Sequence, residues 1–231
     1  MKPFLSRLLS RLSFLTVEVA VILLLFGASF AAFFYLIRVV FGVHSVALDT
    51  WAFQLLDARR QAAPGLTDWA YVVTFFASAP FLVGITIVLP AGLVWLQRRR
   101  EALEIFLAVV GASLLNQGLK THFHRMRPDT ALVQQLGLSF PSGHAMIGMA
   151  LYGCLAWLLW RHGRHPVWAV LLLLWAVLIG LTRVYLHVHY ATDVLAGFAA
   201  GLGWLILLRT ALRLWWREAQ VVAGQEKRQA R

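Results

Sequence analysis

The hydrophobic and polar positions of the chain alternate on a coarse scale, because six long apolar runs are separated by short polar stretches. About 17–25 predominantly apolar residues suffice for a helix to cross the hydrocarbon of a bilayer. The sequence therefore predicts an all-α, polytopic membrane protein with six transmembrane helices. The predicted spans are 16–42, 69–96, 102–119, 143–160, 166–184 and 190–212.

Three stretches outside the spans have patterns of their own. Residues 1–14 place leucines on one helical face and serines and arginines on the other, which predicts an interfacial N-terminal helix. The connection 44–66 has a polar and an apolar helical face, which favours a short helix on the membrane surface. Residues 217–231 are polar and predict a flexible cytoplasmic tail. Residues 1–231 are interpreted as one integral-membrane domain.

The composition agrees with this pattern. Of the 231 residues, 60% are hydrophobic and 13% are charged, whereas a soluble domain is about 45–50% apolar. The formal net charge of +11 would suit nucleic acid, but the basic residues gather at the ends of the apolar runs, as lipid-headgroup anchors do. The sequence therefore predicts the lipid bilayer as a partner and no nucleic acid, and it leaves the oligomeric state open.

The lysines and arginines also predict the orientation, because cytoplasmic loops of membrane proteins carry an excess of them. With six spans, fourteen of the 21 lysines and arginines fall on one side, at the N-terminus, at 98–100, at 161–164 and in the tail. That side is predicted to be cytoplasmic. The connections 44–66, 120–142 and 184–190 then lie on the opposite, periplasmic or external side.

The same arrangement collects ionisable residues from distant parts of the chain at the outer ends of spans three to six. Ionisable groups cost about 2.5–3.5 kcal/mol each near the middle of a bilayer and usually mark function. Chance would not be expected to gather them on one side. The residues are Lys120, Arg127, His144, Arg183, His189 and Asp193.

Part of this set suits phosphoryl transfer. If a helix begins near His189, Asp193 lies four residues on and shares its face, and an imidazole held by a carboxylate can act as a nucleophile. Lys120, Arg127 and Arg183 would stabilise the negative charge on the equatorial oxygens of a phosphoryl group in transfer.

The sequence Pro141-Ser142-Gly143-His144 opens span four. Free amides of Ser142 and Gly143 at a helix N-terminus would bind a phosphate, and His144 could protonate a leaving oxygen. Whether or not a phosphate binds, the Ser142 hydroxyl is expected to cap the helix.

Other polar residues have simpler interpretations. Taken alone, either Arg125 or Lys120 would be expected to be a lipid-headgroup anchor. His122, His124 and His187 could be metal ligands, but no carboxylate or cysteine cluster accompanies them at ligand spacing, so loop polarity or headgroup contact is favoured. A small-x-x-x-small pair in span six predicts close helix packing. The pair is Gly197 and Gly201.

At these residues the chain resembles the type 2 phosphatidic-acid phosphatases, also called lipid phosphate phosphatases. Three family motifs occur in order. The first, lysine, six residues and then arginine-proline, begins at Lys120. The second, Pro-Ser-Gly-His, occupies 141–144. The third, serine-arginine, five residues, histidine, three residues and aspartate, runs from Thr182 to Asp193 and has threonine where the family usually has serine. Because threonine keeps the hydroxyl, activity is expected to survive.

The resemblance implies a phosphatase with a helical core that needs no metal ion or cofactor. In such enzymes the histidine matching His189 attacks phosphorus and becomes a phosphohistidine. The histidine matching His144 protonates the leaving group, and the aspartate matching Asp193 supports the nucleophile. The residues that would hold the phosphate are Lys120, Arg127, Ser142, Gly143 and Arg183.

The favoured function is hydrolysis of a phosphate monoester or diphosphate on a membrane lipid, at the outer face of a bacterial cytoplasmic membrane. Polyprenyl diphosphate and phosphatidylglycerophosphate are the first candidate substrates, followed by phosphatidic acid and lipid A phosphates. A lipid phosphotransferase using the same phosphohistidine is an alternative enzyme. A non-catalytic lipid transporter is an alternative of another class, against which stands the position of the charges at span ends rather than at mid-membrane.

Overall fold

The computed structural model describes the backbone of residues 2–229 and the side chains of residues 17 and 19–216. Within that part of the chain every regular element is a helix, so the predicted all-α fold is confirmed. A five-residue π-helical turn, Arg38–Gly42, ends the first helix. The α-helices are α1 Lys2–Ile37, α2 Ala47–Ala62, α3 Leu66–Phe75, α4 Ala79–Trp95, α5 Arg99–Phe123, α6 Gly143–Arg161, α7 Pro166–Tyr185 and α8 Ala191–Gln229.

Five of the described helical segments are individually long and apolar enough to cross a membrane, and their composition makes this an integral membrane protein. They are Val19–Gly42, Arg99–Phe123, Gly143–Arg161, Pro166–Tyr185 and Ala191–Trp216. The prediction that 69–96 forms one continuous helix was wrong. The segment consists of two helices, α3 and α4, which meet at a bend of 40° and together give the sixth candidate span.

The break between α3 and α4 follows from Pro80 in the first turn of α4. A proline ring clashes with the carbonyl group four residues earlier, here that of Phe76, and its nitrogen cannot donate a hydrogen bond. Ser78 is accordingly extended, with φ −69° and ψ 157°. The Phe76 carbonyl oxygen, which the helix no longer uses, accepts a hydrogen bond from the Tyr152 hydroxyl at 2.7 Å. The bend is therefore fixed by packing against α6.

The connection predicted to hold a short helix does so, because α2 occupies Ala47–Ala62. The predicted N-terminal helix 1–14 forms the first part of α1, and the predicted tail 217–231 overlaps the last part of α8. The side chains of both segments lie outside the described residues, as do Met1 and residues 230–231 altogether. Their interfacial and flexible character stays a prediction.

Helix α6 is the centre of the bundle and packs against α5, α7 and α8. The predicted close packing of α8 is observed: a Cβ atom added to Gly197 would lie 2.7 Å from the Ser142 carbonyl oxygen. A Cβ atom at Gly201 would lie 2.4 Å from the Met146 carbonyl oxygen. Because only glycine permits this approach, the first turns of α6 and α8 lie side by side. The two histidine-bearing motifs are thereby brought to one place.

Polar connections meet at both ends of the bundle. At one end the α4–α5 and α6–α7 turns are joined by ion pairs, among them Arg161 Nη1 to Glu104 Oε1 at 2.6 Å. At the other end the long connection 124–142 covers the α7–α8 turn, where the Leu132 amide donates to the Leu186 carbonyl at 3.0 Å. The candidate site lies at this second end.

Candidate active site

His189 lies in the turn between α7 and α8 and is 2% exposed. Its Nε2 atom is 3.1 Å from Arg127 Nη1. On the other side of the ring, Nδ1 is 3.2 Å from Ser139 Oγ and 3.4 Å from Asp193 Oδ2. Arginine can only donate, so Nε2 must accept and the proton of the neutral ring belongs on Nδ1. The unprotonated nitrogen therefore faces the cationic side of the site.

The protonation state of His189 follows from its burial. Removal from water lowers the pKa of His189 from its usual 6.5 to about 4, although hydrogen bonding to Asp193 and the charge of Asp193 act in the opposite direction. Arg127 and Lys120 lower this pKa further through their positive charges. At neutral pH the imidazole is thus uncharged, and its Nε2 atom is unprotonated with its electron pair directed toward Arg127.

The Asp193 carboxylate is fully buried and heavily hydrogen-bonded. Its Oδ2 atom accepts from the Tyr190 amide at 3.0 Å and from the Ser139 hydroxyl. Its Oδ1 atom accepts from Arg125 Nη1 at 2.5 Å. The helix begins at Ala191, so His189 precedes the helix and meets Asp193 through a turn rather than across a helical face.

The prediction that Arg125 is a lipid-headgroup anchor was wrong. Its side chain is 13% exposed and bridges two buried carboxylates, those of Asp193 and Asp49. Its guanidinium also lies 3.9 Å from the centre of the Tyr190 ring. The residue therefore supports the site from behind Asp193 and does not face the membrane surface.

Within the part of the chain whose side chains are described, no carboxylate is hydrogen-bonded to any of the three predicted phosphate-binding cations. Lys120 Nζ donates to the Leu138 carbonyl oxygen. Arg127 donates through Nε to the Gly137 carbonyl at 3.0 Å and through Nη1 to the Val188 carbonyl at 2.7 Å. Burial lowers the pKa of Arg127 from its usual value, and Asp193 opposes that change.

Arg183 is the most enclosed of the three cations, at 2% exposed. Its Nη1 atom donates to Thr74 Oγ1 of α3 at 2.6 Å. Its Nε and Nη2 atoms are buried and have no hydrogen-bond partner among the described residues. Unpaired buried donors are costly, so they are expected to have a ligand that supplies the missing acceptors.

The second motif presents a further unpaired group. The Ser142 amide was predicted to be free for a phosphate, but it donates to the Asp193 carbonyl oxygen at 3.0 Å, so that part of the prediction was wrong. Its hydroxyl, however, is buried without a partner and makes no cap hydrogen bond, so the predicted capping role was wrong. Asn116 of α5 holds this segment through a 3.2 Å hydrogen bond to the Pro141 carbonyl. Gly143 lies against the same side chain, because a Cβ atom there would be 3.1 Å from Asn116 Oδ1.

His144 occupies the first turn of α6, directly after these residues. Four ionisable side chains from three other parts of the chain act on it electrostatically: Arg183, His189, Arg127 and Lys120. Asp193 and Arg183 likewise act on Lys120. The structure thus brings the predicted residues of all three motifs into one polar cluster. Their individual chemical roles remain predictions.

Sequence reasoning missed the supporting residues Ser139, Asn116 and Asp49. Ser139 had a usable signal, since it is a polar residue two positions before Pro141 in a motif-bearing loop. Asp49 had none, because its partners Thr192 and Arg125 are far away in sequence.

The remaining loop histidines behave differently from one another. The preference for loop polarity or headgroup contact was wrong for His187, which is 4% exposed. Its ring stacks on Phe53, its Nδ1 lies 2.8 Å from Thr130 Oγ1, and its Nε2 lies 2.9 Å from Asp57 Oδ1. Burial lowers the pKa of His187, and Asp57 opposes this. His122 and His124 are exposed. Among the described side chains, no group of three His, Cys, Asp or Glu residues is arranged to hold a metal ion.

These features define a helical membrane protein with a buried histidine, an aspartate and an excess of cations at one end of its bundle. The model of the PAP2 superfamily matches residues 101–217, about half of the chain. The chain belongs to the PAP2 superfamily.

Similar proteins are named as phosphatases of lipids. Phosphatidylglycerophosphatase B of Bacillus subtilis is 34% identical over 174 residues, which cover 70% of this chain and 86% of that protein. The putative undecaprenyl-diphosphatase YbjG of Escherichia coli is 28% identical over 165 residues, 67% of this chain and 78% of that protein. Family membership and these names indicate a phosphatase that acts on lipid phosphates.

The fold agrees with a solved structure. A crystal structure of a transmembrane PAP2 type phosphatidylglycerolphosphate phosphatase from Bacillus subtilis matches with a TM-score of 0.69 and 30% identity. The match covers 79% of this chain and 94% of that chain. The architecture of a membrane-embedded PAP2 phosphatase therefore extends over most of the present molecule.

Proposed function

We propose that this protein hydrolyses a phosphate monoester or diphosphate on a membrane lipid through a phosphohistidine formed on His189. The observation that carries the proposal is the environment of the ring. Nδ1 faces Ser139 and Asp193, whereas Nε2 lies 3.1 Å from Arg127 on the side of the uncompensated cations. A buried, neutral imidazole with a fixed tautomer is suited to nucleophilic attack.

In the first step, the Nε2 electron pair of His189 forms a bond to phosphorus while the bond from phosphorus to the lipid oxygen breaks. The proton of a charged His144 passes to that leaving oxygen. The ring of His189 gains positive character as it is phosphorylated, and the Asp193 carboxylate, close to Nδ1, stabilises it. The negative charge on the phosphoryl oxygens is stabilised by Lys120, Arg127 and Arg183.

In the second step, neutral His144 takes a proton from water as the water oxygen attacks phosphorus. The bond from phosphorus to Nε2 breaks and returns its electron pair to His189. Inorganic phosphate leaves, His189 is neutral again and His144 is charged again. The two steps balance without a metal ion or cofactor.

The unpaired donors of the site supply the phosphate contacts. Arg183 Nε, Arg183 Nη2 and the Ser142 hydroxyl are buried without partners. Lys120 and Arg127 now donate to the carbonyl oxygens of Leu138 and Gly137. A phosphate group offers stronger, charged acceptors and would replace these carbonyl oxygens. We infer that the segment 137–138 moves when the substrate binds.

Phosphatidylglycerophosphate and polyprenyl diphosphate are the proposed substrates. The names of the two relatives described above support them, as does the family to which the chain belongs. Both are lipids with a terminal phosphate that a cationic site at the end of a membrane bundle can reach. The excess of lysine and arginine at the opposite end of the bundle supports an outward-facing site in a bacterial cytoplasmic membrane.

The test is a phosphate-release assay of the purified protein against phosphatidylglycerophosphate, polyprenyl diphosphate, phosphatidic acid and lipid A phosphates. Wild-type protein is expected to release free inorganic phosphate. His189→Ala should lose at least about 10⁴-fold in kcat, as removal of a nucleophile does, while it still inserts and elutes as a folded species. Substantial residual turnover by this variant would refute the nucleophile assignment.

The same assay separates hydrolysis from phosphotransfer. A hydrolase releases phosphate from a single pure lipid, because water is the acceptor. A phosphotransferase would release none until a second lipid is supplied, and the phosphoryl group would then appear on that lipid.

A further inference from the structure

Helix α2 reaches the candidate site through one buried carboxylate, that of Asp49. The residue lies in the first turn of α2 and is 2% exposed. It is 144 positions before Asp193 in the sequence, and none of the three family motifs includes it. A charge of this kind is rarely buried unless it is paired and hydrogen-bonded.

Three hydrogen bonds satisfy Asp49, and two of them come from Thr192. Its Oδ1 atom accepts from the Thr192 amide at 2.8 Å, and its Oδ2 atom accepts from the Thr192 hydroxyl at 2.9 Å. Thr192 is the second residue of α8, where backbone amides have no partner within the helix. Asp49 therefore caps α8 from another helix, and its negative charge is favourable at that N-terminus.

The third hydrogen bond links Asp49 to the nucleophile's partner. Arg125 donates from Nη2 to Asp49 Oδ2 at 2.9 Å and from Nη1 to Asp193 Oδ1 at 2.5 Å. The Nη1 atom also contacts Thr192 Oγ1 at 2.7 Å. One planar guanidinium thus joins the two carboxylates and fixes their separation. The other oxygen of Asp193 is the one that faces His189.

We propose that Asp49 is a positioning residue for the nucleophile. It acts through Arg125 and the first turn of α8 to hold Asp193 beside Nδ1 of His189. This inference rests on the proposed function for its kinetic readout, but not for the geometry that it describes.

The charge balance gives the reason for a second carboxylate. With Asp193 alone, Arg125 would neutralise the carboxylate that has to stabilise positive charge on His189. With Asp49 present, Arg125 has a carboxylate of its own, and Asp193 keeps negative charge for the imidazole. Arg127 and Lys120 act on His189 with positive charge, and His144 lies close enough to be affected by it, so these groups cannot provide this balance.

The test substitution is Asp49→Asn. The amide oxygen can still accept from the Thr192 backbone amide, but the NH₂ group now faces the Arg125 guanidinium and the Thr192 hydroxyl. We expect kcat to fall about 10–100-fold, the scale of a small misplacement of catalytic groups, with KM changed by less than about twofold, since Asp49 does not touch the phosphate site. Asp68→Asn is the matched control, an exposed carboxylate in the first turn of α3, and should leave kcat unchanged.

A double-variant cycle tests the route through Arg125. If Asp49 acts through Arg125, Asp49→Asn should add little to the loss caused by Arg125→Gln. Unchanged kcat in folded Asp49→Asn, or fully additive losses in the double variant, would overturn the proposal. A lower yield of folded protein with an unchanged kcat per folded molecule would overturn it too, because that is a purely structural role.

A spectroscopic readout keeps this inference separate from the proposed function. In the wild type, ¹⁵N spectra of the His189 ring should show a neutral tautomer protonated on Nδ1. In Asp49→Asn the proton should stay on Nδ1, because Arg127 still faces Nε2, but the Nδ1 resonance should shift as Asp193 moves relative to the ring. Identical spectra would contradict the positioning role, whether or not the protein hydrolyses any lipid. If the wild type released phosphate from none of the lipids, the proposed function would be refuted instead.

Discussion

The two ends of the helix bundle use ionisable side chains in opposite ways. At the glutamate end, defined by Arg98, Glu101, Glu104, Arg161 and His162, each of the three basic residues contacts a carboxylate. Glu101 lies 2.6 Å from Arg98, 3.0 Å from His162 and 3.4 Å from Arg161. Glu104 lies 2.6 Å from Arg161. These charges compensate one another and join two turns.

At the histidine end, the carboxylate already has a cationic partner. This end is defined by Lys120, Arg127, Arg183, His189 and Asp193. Asp193 is bonded to Arg125, and among the described residues the other three cations contact carbonyl oxygens, a hydroxyl oxygen and His189 Nε2 but no carboxylate. Two donors of Arg183 have no hydrogen-bond partner among the side chains that the structure describes. A cluster of positive charge that the protein itself does not neutralise is poised to bind an anion. Binding sites differ from structural ion pairs in this excess, not in the number of charges.

Among the substitutions that test this difference between the two ends, Asp193→Asn is expected to cause the largest loss of activity. The amide cannot stabilise a charged imidazole, and the analogous change in serine proteases costs about 10⁴-fold in kcat. We expect a loss of about 10³–10⁴-fold here, measured as phosphate release under saturating lipid. Asp57→Asn, a carboxylate of the same end that pairs with Arg60 and His187, is the control and should lose far less.

The Asp193→Asn variant is also expected to change the pKa of His189. Asp193 raises the pKa of His189 against the effect of burial, so its neutral replacement should move that pKa below the wild-type value of about 4. On the acid side, the kcat/KM of the wild type should therefore not fall until the pH approaches 4, where the nucleophile becomes protonated. An acid limb near 6.5, or a His189 pKa that rises in Asp193→Asn, would contradict the assignment.

An intermediate effect is expected from Arg183→Ala. Removal of one charge-stabilising donor from a site of this kind costs about 10²–10³-fold in kcat/KM, and the affinity for vanadate, a phosphate analogue, should fall with it. Arg161→Ala, which removes an arginine from the glutamate end, is the matched control. It should change the stability but not the vanadate inhibition constant. Equal inhibition constants for Arg183→Ala and the wild type would remove Arg183 from the phosphate site.

Much of this architecture was predictable because membrane insertion imposes simple rules on a sequence. Apolar length predicted the spans, and basic residues at their ends predicted which connections share a side. The exception was the region of Pro80, where a proline within an apolar run broke the helix that hydropathy alone had joined. Hydropathy reports burial in lipid, and it carries little information on backbone direction.

The site was predictable only where its residues fall within short motifs. The contact of His189 with Asp193 was anticipated from their separation of four positions, but the helical geometry assumed for it was wrong, because α8 begins only at Ala191. Ser142 was placed correctly at the start of α6, but the state of its hydroxyl depends on neighbours from other helices. Asp49 could not be found, since its role depends on α2 lying across the first turn of α8. Contacts between distant segments are decided by packing, which local patterns do not encode.

The smallest effect on activity is expected from Glu104→Gln at the glutamate end. The Glu104 side chain is 3% exposed and its pairing with Arg161 is lost in the amide, which leaves a buried polar group less well satisfied. Arg161 is one-third exposed and still contacts Glu101, so the cost is expected to be about 1–3 kcal/mol, below that of a fully buried pair. Thermal unfolding in detergent should therefore shift down, while kcat and KM of the folded protein stay at the wild-type values. If this variant instead lost catalysis in proportion to Arg183→Ala, the two ends would be coupled, and the glutamate end could no longer be regarded as purely structural.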